Sequence, residues 1–128
     1  MEVTNLTTNQ PVVRVIGTGG SIAGIGPHRL DYILYGELGN KYNVGESLAH
    51  IPEVAGIAQV RSEDLISVGS TALGPQEWLL LSQRINQIFR DEGDVAGVVV
   101  THGTATLEET AYFLHLTVKS SKPVVVTG

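Results

Sequence analysis

Two short stretches place hydroxyl side chains beside glycine: Thr18-Gly19-Gly20-Ser21 and Thr101-His102-Gly103-Thr104. The loops supply hydroxyls, Thr18 with Ser21 in the first and Thr104 with Thr106 in the second. Glycine lets the backbone come close to a ligand, and free backbone N–H groups can hold an anion or a developing oxyanion. Holding a small anion or a developing oxyanion between backbone N–H groups and hydroxyls is therefore the chemistry these residue types could do. Each stretch also has a plain structural reading, because strand-to-helix turns need glycine and Ser or Thr caps helices. Other chemistries fit less well. Gly17-Thr18-Gly19-Gly20 matches only the first half of the dinucleotide fingerprint, with Ile22 at the third glycine position, and no Gly-Lys-Ser/Thr phosphate loop is present. The cysteine count of 0 excludes thiol catalysis, a disulfide framework and Cys-based metal sites. His28, His50 and His115 show no ligand spacing with carboxylates, so neither a metal nor a cofactor is expected. Glu108 and Glu109 read as carboxylates at a helix start, not as an acid/base pair.

The elements around these stretches must position them. Val12 to Ile16 is a β-branched, mostly apolar run of the kind found in strands covered on both faces, and it stops at the first glycine loop. From Gly24 to Asn43 glycines recur beside Tyr32, Tyr35 and Tyr42 without a helical period, which reads as a long, partly hairpin-like flap. Glu46 to His50 could form one short helix before Pro52. Two short strands are expected at Ile57 to Val60 and Leu65 to Val68. Gly74-Pro75 opens a helix whose Trp78, Leu81, Ile85 and Ile88 fall on one stripe, and Gly93 follows as a left-handed cap. Val95 to Thr101 is the next strand. Thr106 and Glu109 have capping-box spacing ahead of a second helix marked by Leu107, Ala111, Leu114 and Val118. Pro123 to Thr127 is the last strand. Strand, helix, strand is the βαβ pattern, so the expected fold is α/β with a parallel sheet. Ligands of such sheets bind beyond the carboxyl ends of the strands, so both glycine loops should face one crevice.

Composition agrees with a packed domain and narrows the partners. The chain has 128 residues, 42% hydrophobic and 16% charged, which argues against disorder. Its 8 basic and 13 acidic residues give a net charge of −5, the wrong sign for non-specific nucleic-acid binding. No apolar run reaches the ~18 residues of a membrane span. Residues 1–5 show neither a basic nor an apolar leader segment, from which a cytoplasmic location is expected.

Val15-Ile16-Gly17-Thr18-Gly19-Gly20-Ser21-Ile22-Ala23-Gly24 closely resembles the first signature of bacterial-type L-asparaginases, T-G-G-T-I-A. Val99 to Leu114, with His102-Gly103-Thr104-Ala105-Thr106 and Leu107-Glu108-Glu109-Thr110-Ala111, resembles the second, H-G-T-D-T followed by M/L-E-E-T-A. Val68-Gly69-Ser70 resembles the segment that presents a substrate-binding serine, and Tyr42-Asn43-Val44-Gly45 the flap segment that carries an active-site tyrosine. The resemblance runs from about Val12 to Gly128. It implies a polar tail at residues 1–10 and a flavodoxin-like N-terminal domain at 11–128 that stops after its last visible strand, the C-terminal domain being absent.

The family hydrolyses the side-chain amide of asparagine, and often glutamine, to the acid and ammonia through a threonine nucleophile. Carried over by position, the resemblance gives Thr18 as nucleophile, Tyr42 as the tyrosine that activates it, with Tyr35 as the alternative, and Thr104 as a relay threonine. Ser70 is implied to hold the substrate carboxylate, with Thr71 beside it at the substrate although Thr71 and Ala72 replace the polar pair usual there, Gly19, Gly20, Gly103 and Ala105 shaping the pocket, and His102 mainly structural. Ala105 departs from the pattern. The family has aspartate there, in its relay and in its clamp on the substrate's α-ammonium, and a methyl group can serve neither. Two expectations follow: an amidohydrolase that favours amides lacking the ammonium, such as succinamate, or a domain that binds a small carboxylate without turnover. The resemblance also implies a homo-oligomer, a tetramer in the family.

Overall fold

The computed structural model describes residues 9–28 and 30–128, so most of the expected tail lies outside the described residues. Four strands, β1 (Val12–Gly19), β2 (Gln59–Val68), β3 (Val95–Thr101) and β4 (Val124–Thr127), form one sheet in the order β2-β1-β3-β4. All three neighbouring pairs are parallel. As far as four strands go, this is the flavodoxin-like order, whose ligand crevice opens where β1 and β3 send their chains in opposite directions across the sheet.

One face carries two helices, α2 (Pro75–Asp91) and α3 (Leu107–Thr117), after a first, short α1 (Val44–Ala49). Leu81, Ile85 and Ile88 of α2 and Leu114 of α3 pack with Ile16, Val98 and Val100 in one buried cluster. The helical stripe therefore closes as its spacing dictates, except at Trp78. That ring is only half-buried and leans toward α3, 5.8 Å from Phe113 between ring centroids. The opposite face carries α1, whose Val44 N–H donates to both Asp64 carboxylate oxygens at 3.1 and 3.2 Å. Asn43 accepts from the Glu46 N–H while Glu46 accepts from the Asn43 N–H, so α1 starts two residues earlier than Glu46.

Three local expectations are corrected. The two short strands expected at 57–60 and 65–68 are one continuous β2. Polar residues in its middle suggest a break, yet β2 is an edge strand, and Arg61, Glu63 and Asp64 each find a partner. Gly93 is not a left-handed cap: among the described residues only Gly19, Gly20 and Gly39 have positive φ, and Glu92 ends α2. Thr106 does not make its capping-box bond, because its hydroxyl donates to the Ser70 carbonyl at 2.7 Å.

Ion pairs on the α2 face tie β2 to its neighbours. Glu63 accepts from Arg14 of β1 at 2.6 Å and from Arg84 of α2 at 2.9 Å. Partial burial pushes the Glu63 carboxyl up, but the guanidiniums of Arg84 and Arg14 outweigh it and hold the group below its ordinary range. A carboxyl whose folded pKa is depressed adds stability above its unfolded pKa and loses it as the pH falls through the folded one. Glu63→Gln is expected to lower stability at neutral pH by about 1 kcal/mol, solvent screening allowed for. Urea denaturation of both proteins checks this: the difference should be full at neutral pH and shrink below the usual glutamate range. A difference that does not change with pH would contradict it.

Candidate active site

The loops that follow β1, β2 and β3 meet at their glycines. At Gly19, φ is +89°, and a Cβ there would stand 2.5 Å from the Val68 carbonyl oxygen. At Gly20, φ is +83° and ψ −178°, and a Cβ would stand 2.5 Å from the Gly103 nitrogen. At Gly103 a Cβ would meet Ser70 Oγ at 2.7 Å. The glycines thus let three loops touch through their backbones, which no side chain would permit. The Gly20 N–H donates to the Val68 carbonyl at 2.9 Å, so it is already engaged and does not serve as an oxyanion donor.

Above this junction lies a cavity of about 310 Å³. Gly20 and Ser21 line it from the β1 loop, Ser70 and Thr71 from the β2 loop, and Thr104 and Ala105 from the β3 loop. Tyr35, Asn40 and Lys41 of the flap complete the wall. The flap's stem is a short antiparallel hairpin: Gly24 bridges Lys41, the Ile25 N–H donates to Asn40 O at 2.9 Å, and the Tyr42 N–H donates to Ala23 O at 2.8 Å.

Several sequence-predicted site residues therefore come together, and others do not. Gly20, Ser70, Thr71, Thr104 and Ala105 line the cavity, while Gly19 and Gly103 are backbone packing beneath it. Thr18 is fully buried at 0% exposure, and its hydroxyl donates to the Thr101 carbonyl at 2.8 Å. That hydroxyl ties the end of β1 to the end of β3 and lies below the crevice. The exposed hydroxyl of the same loop is Ser21. Alternation places Thr18 with Ile16 on the packed side, and the glycine turn then brings Ser21 to the surface. Tyr42 is half-buried, with its ring centroid 4.8 Å from that of His50. It lines a second cavity of about 350 Å³ beside α1, and a wider one of about 830 Å³ that adjoins the crevice. Tyr35, two turns of sequence earlier, is the flap tyrosine on the crevice wall itself. Asn40 and Lys41 are not among the expected site residues; the pairing of the hairpin stem, which an irregular glycine-rich run does not specify, brings them there.

His102 is fully buried and works beneath the β3 loop. Its Nδ1 lies 2.6 Å from the Gly103 carbonyl, which can only accept, so Nδ1 carries the proton. Nε2, 2.8 Å from Thr110 Oγ1, then accepts from that hydroxyl, which itself accepts from the Trp78 indole N–H at 2.9 Å. Both ring nitrogens are thus engaged away from the cavity. His102 holds the Gly103 backbone and is not placed to take a proton from a ligand.

Residues 12–128 match the family model described as asparaginase, N-terminal. The chain belongs to the asparaginase family. It is 46% identical over 120 residues to L-asparaginase 2 of Bacillus subtilis, covering 92% of this chain and 31% of that protein. It is 40% identical over 116 residues to the glutaminase-asparaginase of Pseudomonas fluorescens, covering 91% and 31%. Among solved structures it superposes on a probable cytoplasmic L-asparaginase from Campylobacter jejuni with a TM-score of 0.79 at 34% identity, covering 91% of this chain and 34% of that one. The chain thus spans about a third of the length of these family members. Relatives named for the cytoplasm and for the periplasm both occur. No helix among the described residues is long and apolar enough to cross a membrane.

Proposed function

We propose that the crevice is an amidohydrolase site, cleaving the side-chain amide of asparagine or a related amide to acid and ammonia, with Ser21 as the attacking hydroxyl. The observation that carries this reading is the placement of Ser21: exposed, on the first glycine loop, across a small cavity from Ser70, Thr71 and Thr104. In the proposed step Ser21 Oγ bonds to the amide carbon, the C–N bond breaks, ammonia leaves with a proton, and water then hydrolyses the acyl-serine. Ser70 and Thr71 serve as donors to the carboxylate end of the substrate, and Tyr35 and Thr104, which line the same cavity, are assigned the passage of a proton to and from Ser21. A cytoplasmic location and a homo-oligomer belong to the same reading. Sedimentation at micromolar concentration should give a species larger than the monomer, and a clean monomer would count against the oligomer.

One observation favours a second reading, a crevice that binds a small carboxylate without turnover. Among the described residues that line it, none is a carboxylate or an imidazole, the groups that usually take a nucleophile's proton. Ammonia release from asparagine, glutamine and succinamate, with Ser21→Ala as control, separates the two. Release that disappears in the control supports the amidohydrolase; succinate binding without any release leaves the binding domain.

A further inference from the structure

Among the described residues that line it, the crevice contains one formal charge, and it is positive. Lys41 is the sole charged residue among the described residues that line it, on a chain whose net charge is −5. Lys41 is exposed, and it has no ion-pair partner among the described residues. Its backbone is fixed by the antiparallel bridge to Gly24, so the residue that carries this cation stands on the hairpin stem at the crevice and not on a free loop. The remaining polar groups of the wall are hydroxyls and the Asn40 amide, and Ala105 presents only a methyl group. A rival carboxylate, Asp31, lines the wider adjoining cavity, which Ser21 and Thr104 also reach. Its Oδ1 already accepts from the Ile33 and Leu34 N–H groups at 2.9 and 2.6 Å.

Resting on the amidohydrolase reading, we infer that this site takes ω-amides of dicarboxylic acids that bear no α-ammonium, with Lys41 as the residue that selects for the free carboxylate. An α-amino acid amide carries an ammonium that would have to be desolvated beside Lys41, with no carboxylate among the described residues of the wall to receive it. A monoamide such as succinamate brings only the negative end, which pairs with the lysine while its amide lies toward Ser21. Specificity then comes as much from repelling the zwitterion as from attracting the anion.

Calorimetric titration of the protein with succinate and with L-aspartate tests this without requiring turnover. Succinate is expected to bind about tenfold tighter than aspartate, as a charge-assisted contact on one side and an unpaired ammonium on the other dictate. Lys41→Gln should remove that preference and weaken succinate about tenfold, and Lys41→Arg should keep it. Aspartate binding as tightly as succinate, or succinate binding unchanged in Lys41→Gln, would overturn the inference. So would aspartate affinity that falls in Asp31→Asn, since Asp31 would then be receiving the ammonium. The two readings fail separately. Aspartate preference together with ammonia release from asparagine overturns this inference alone. Succinate preference without ammonia release overturns the amidohydrolase alone. Binding of neither ligand overturns both.

Discussion

Ser21→Ala is expected to lower kcat for amide hydrolysis by about a thousandfold or more while leaving the fold intact. Ser21 is exposed on the cavity wall, so its side chain carries no packing whose loss would unfold the loop. Thr18→Val should behave in the opposite way. Thr18 is fully buried and donates to Thr101 at 2.8 Å, so the substitution deprives the carbonyl of the half-buried Thr101 of that hydroxyl and puts a methyl group in its place. That costs about 1–2 kcal/mol of stability, with kcat changed by less than about tenfold. Stopped ammonia-release assays and urea denaturation on the same two variants give four numbers and one pattern. Activity lost in Ser21→Ala but stability lost in Thr18→Val supports Ser21 as the nucleophile. An active Ser21→Ala beside a folded but inactive Thr18→Val would return that role to Thr18. A nucleophile contributes only when its oxygen can reach the carbonyl carbon, and a hydroxyl enclosed between two strand ends cannot do so without the strands parting.

The same contrast shows what the sequence could and could not disclose. The α/β class and the parallel sheet were legible because apolar β-branched runs alternate with helical stripes, and that pattern needs only local spacing. The convergence of the glycine loops was legible too, since strand ends of a parallel sheet lie on one edge. Which hydroxyl of Thr18-Gly19-Gly20-Ser21 faces outward was not, because it depends on two glycines at positive φ, at +89° and +83°, which turn the chain by an amount no spacing rule records. The flap was harder still. Tyr35, Tyr42 and Lys41 are equivalent by composition, and their positions are set by a hairpin stem held by the Gly24–Lys41 bridge. The polar stretch Arg61 to Asp64 separates two apolar runs and so suggests two strands where β2 is one. Its charges are satisfied across the fold, by Asp94 and Glu92 for Arg61 and by Arg14 and Arg84 for Glu63, pairings that span tens of residues.

Gly20→Ala is expected to be the most destabilising single change at the crevice, by about 3–5 kcal/mol. Two penalties act together there. The first is conformational: with φ +83° and ψ −178°, Gly20 occupies a region that is open essentially to glycine alone, and forcing another residue into it costs about 1–3 kcal/mol. The second is steric, since the new Cβ would lie 2.5 Å from the Gly103 nitrogen and 2.6 Å from its Cα. Those are backbone atoms, and they cannot swing away as the end of a long side chain can. Gly103 is itself packed on Ser70, whose carbonyl accepts from Thr106, so displacement of one loop is passed to the other two. Gly39→Ala is the matched control: φ there is also positive, at +69°, but nothing lies within 4 Å of the added Cβ. It should lose only about 1 kcal/mol, the conformational part alone. Thermal denaturation of the two variants isolates the loop contact as their difference, on the order of 10 °C in melting temperature for a domain of this size. Equal losses would mean that the three loops do not bear on one another, and that the crevice is held open by the flap instead. If the loss at Gly20 is the larger, ammonia release should fall with it, because Ser21 is the next residue along the displaced chain.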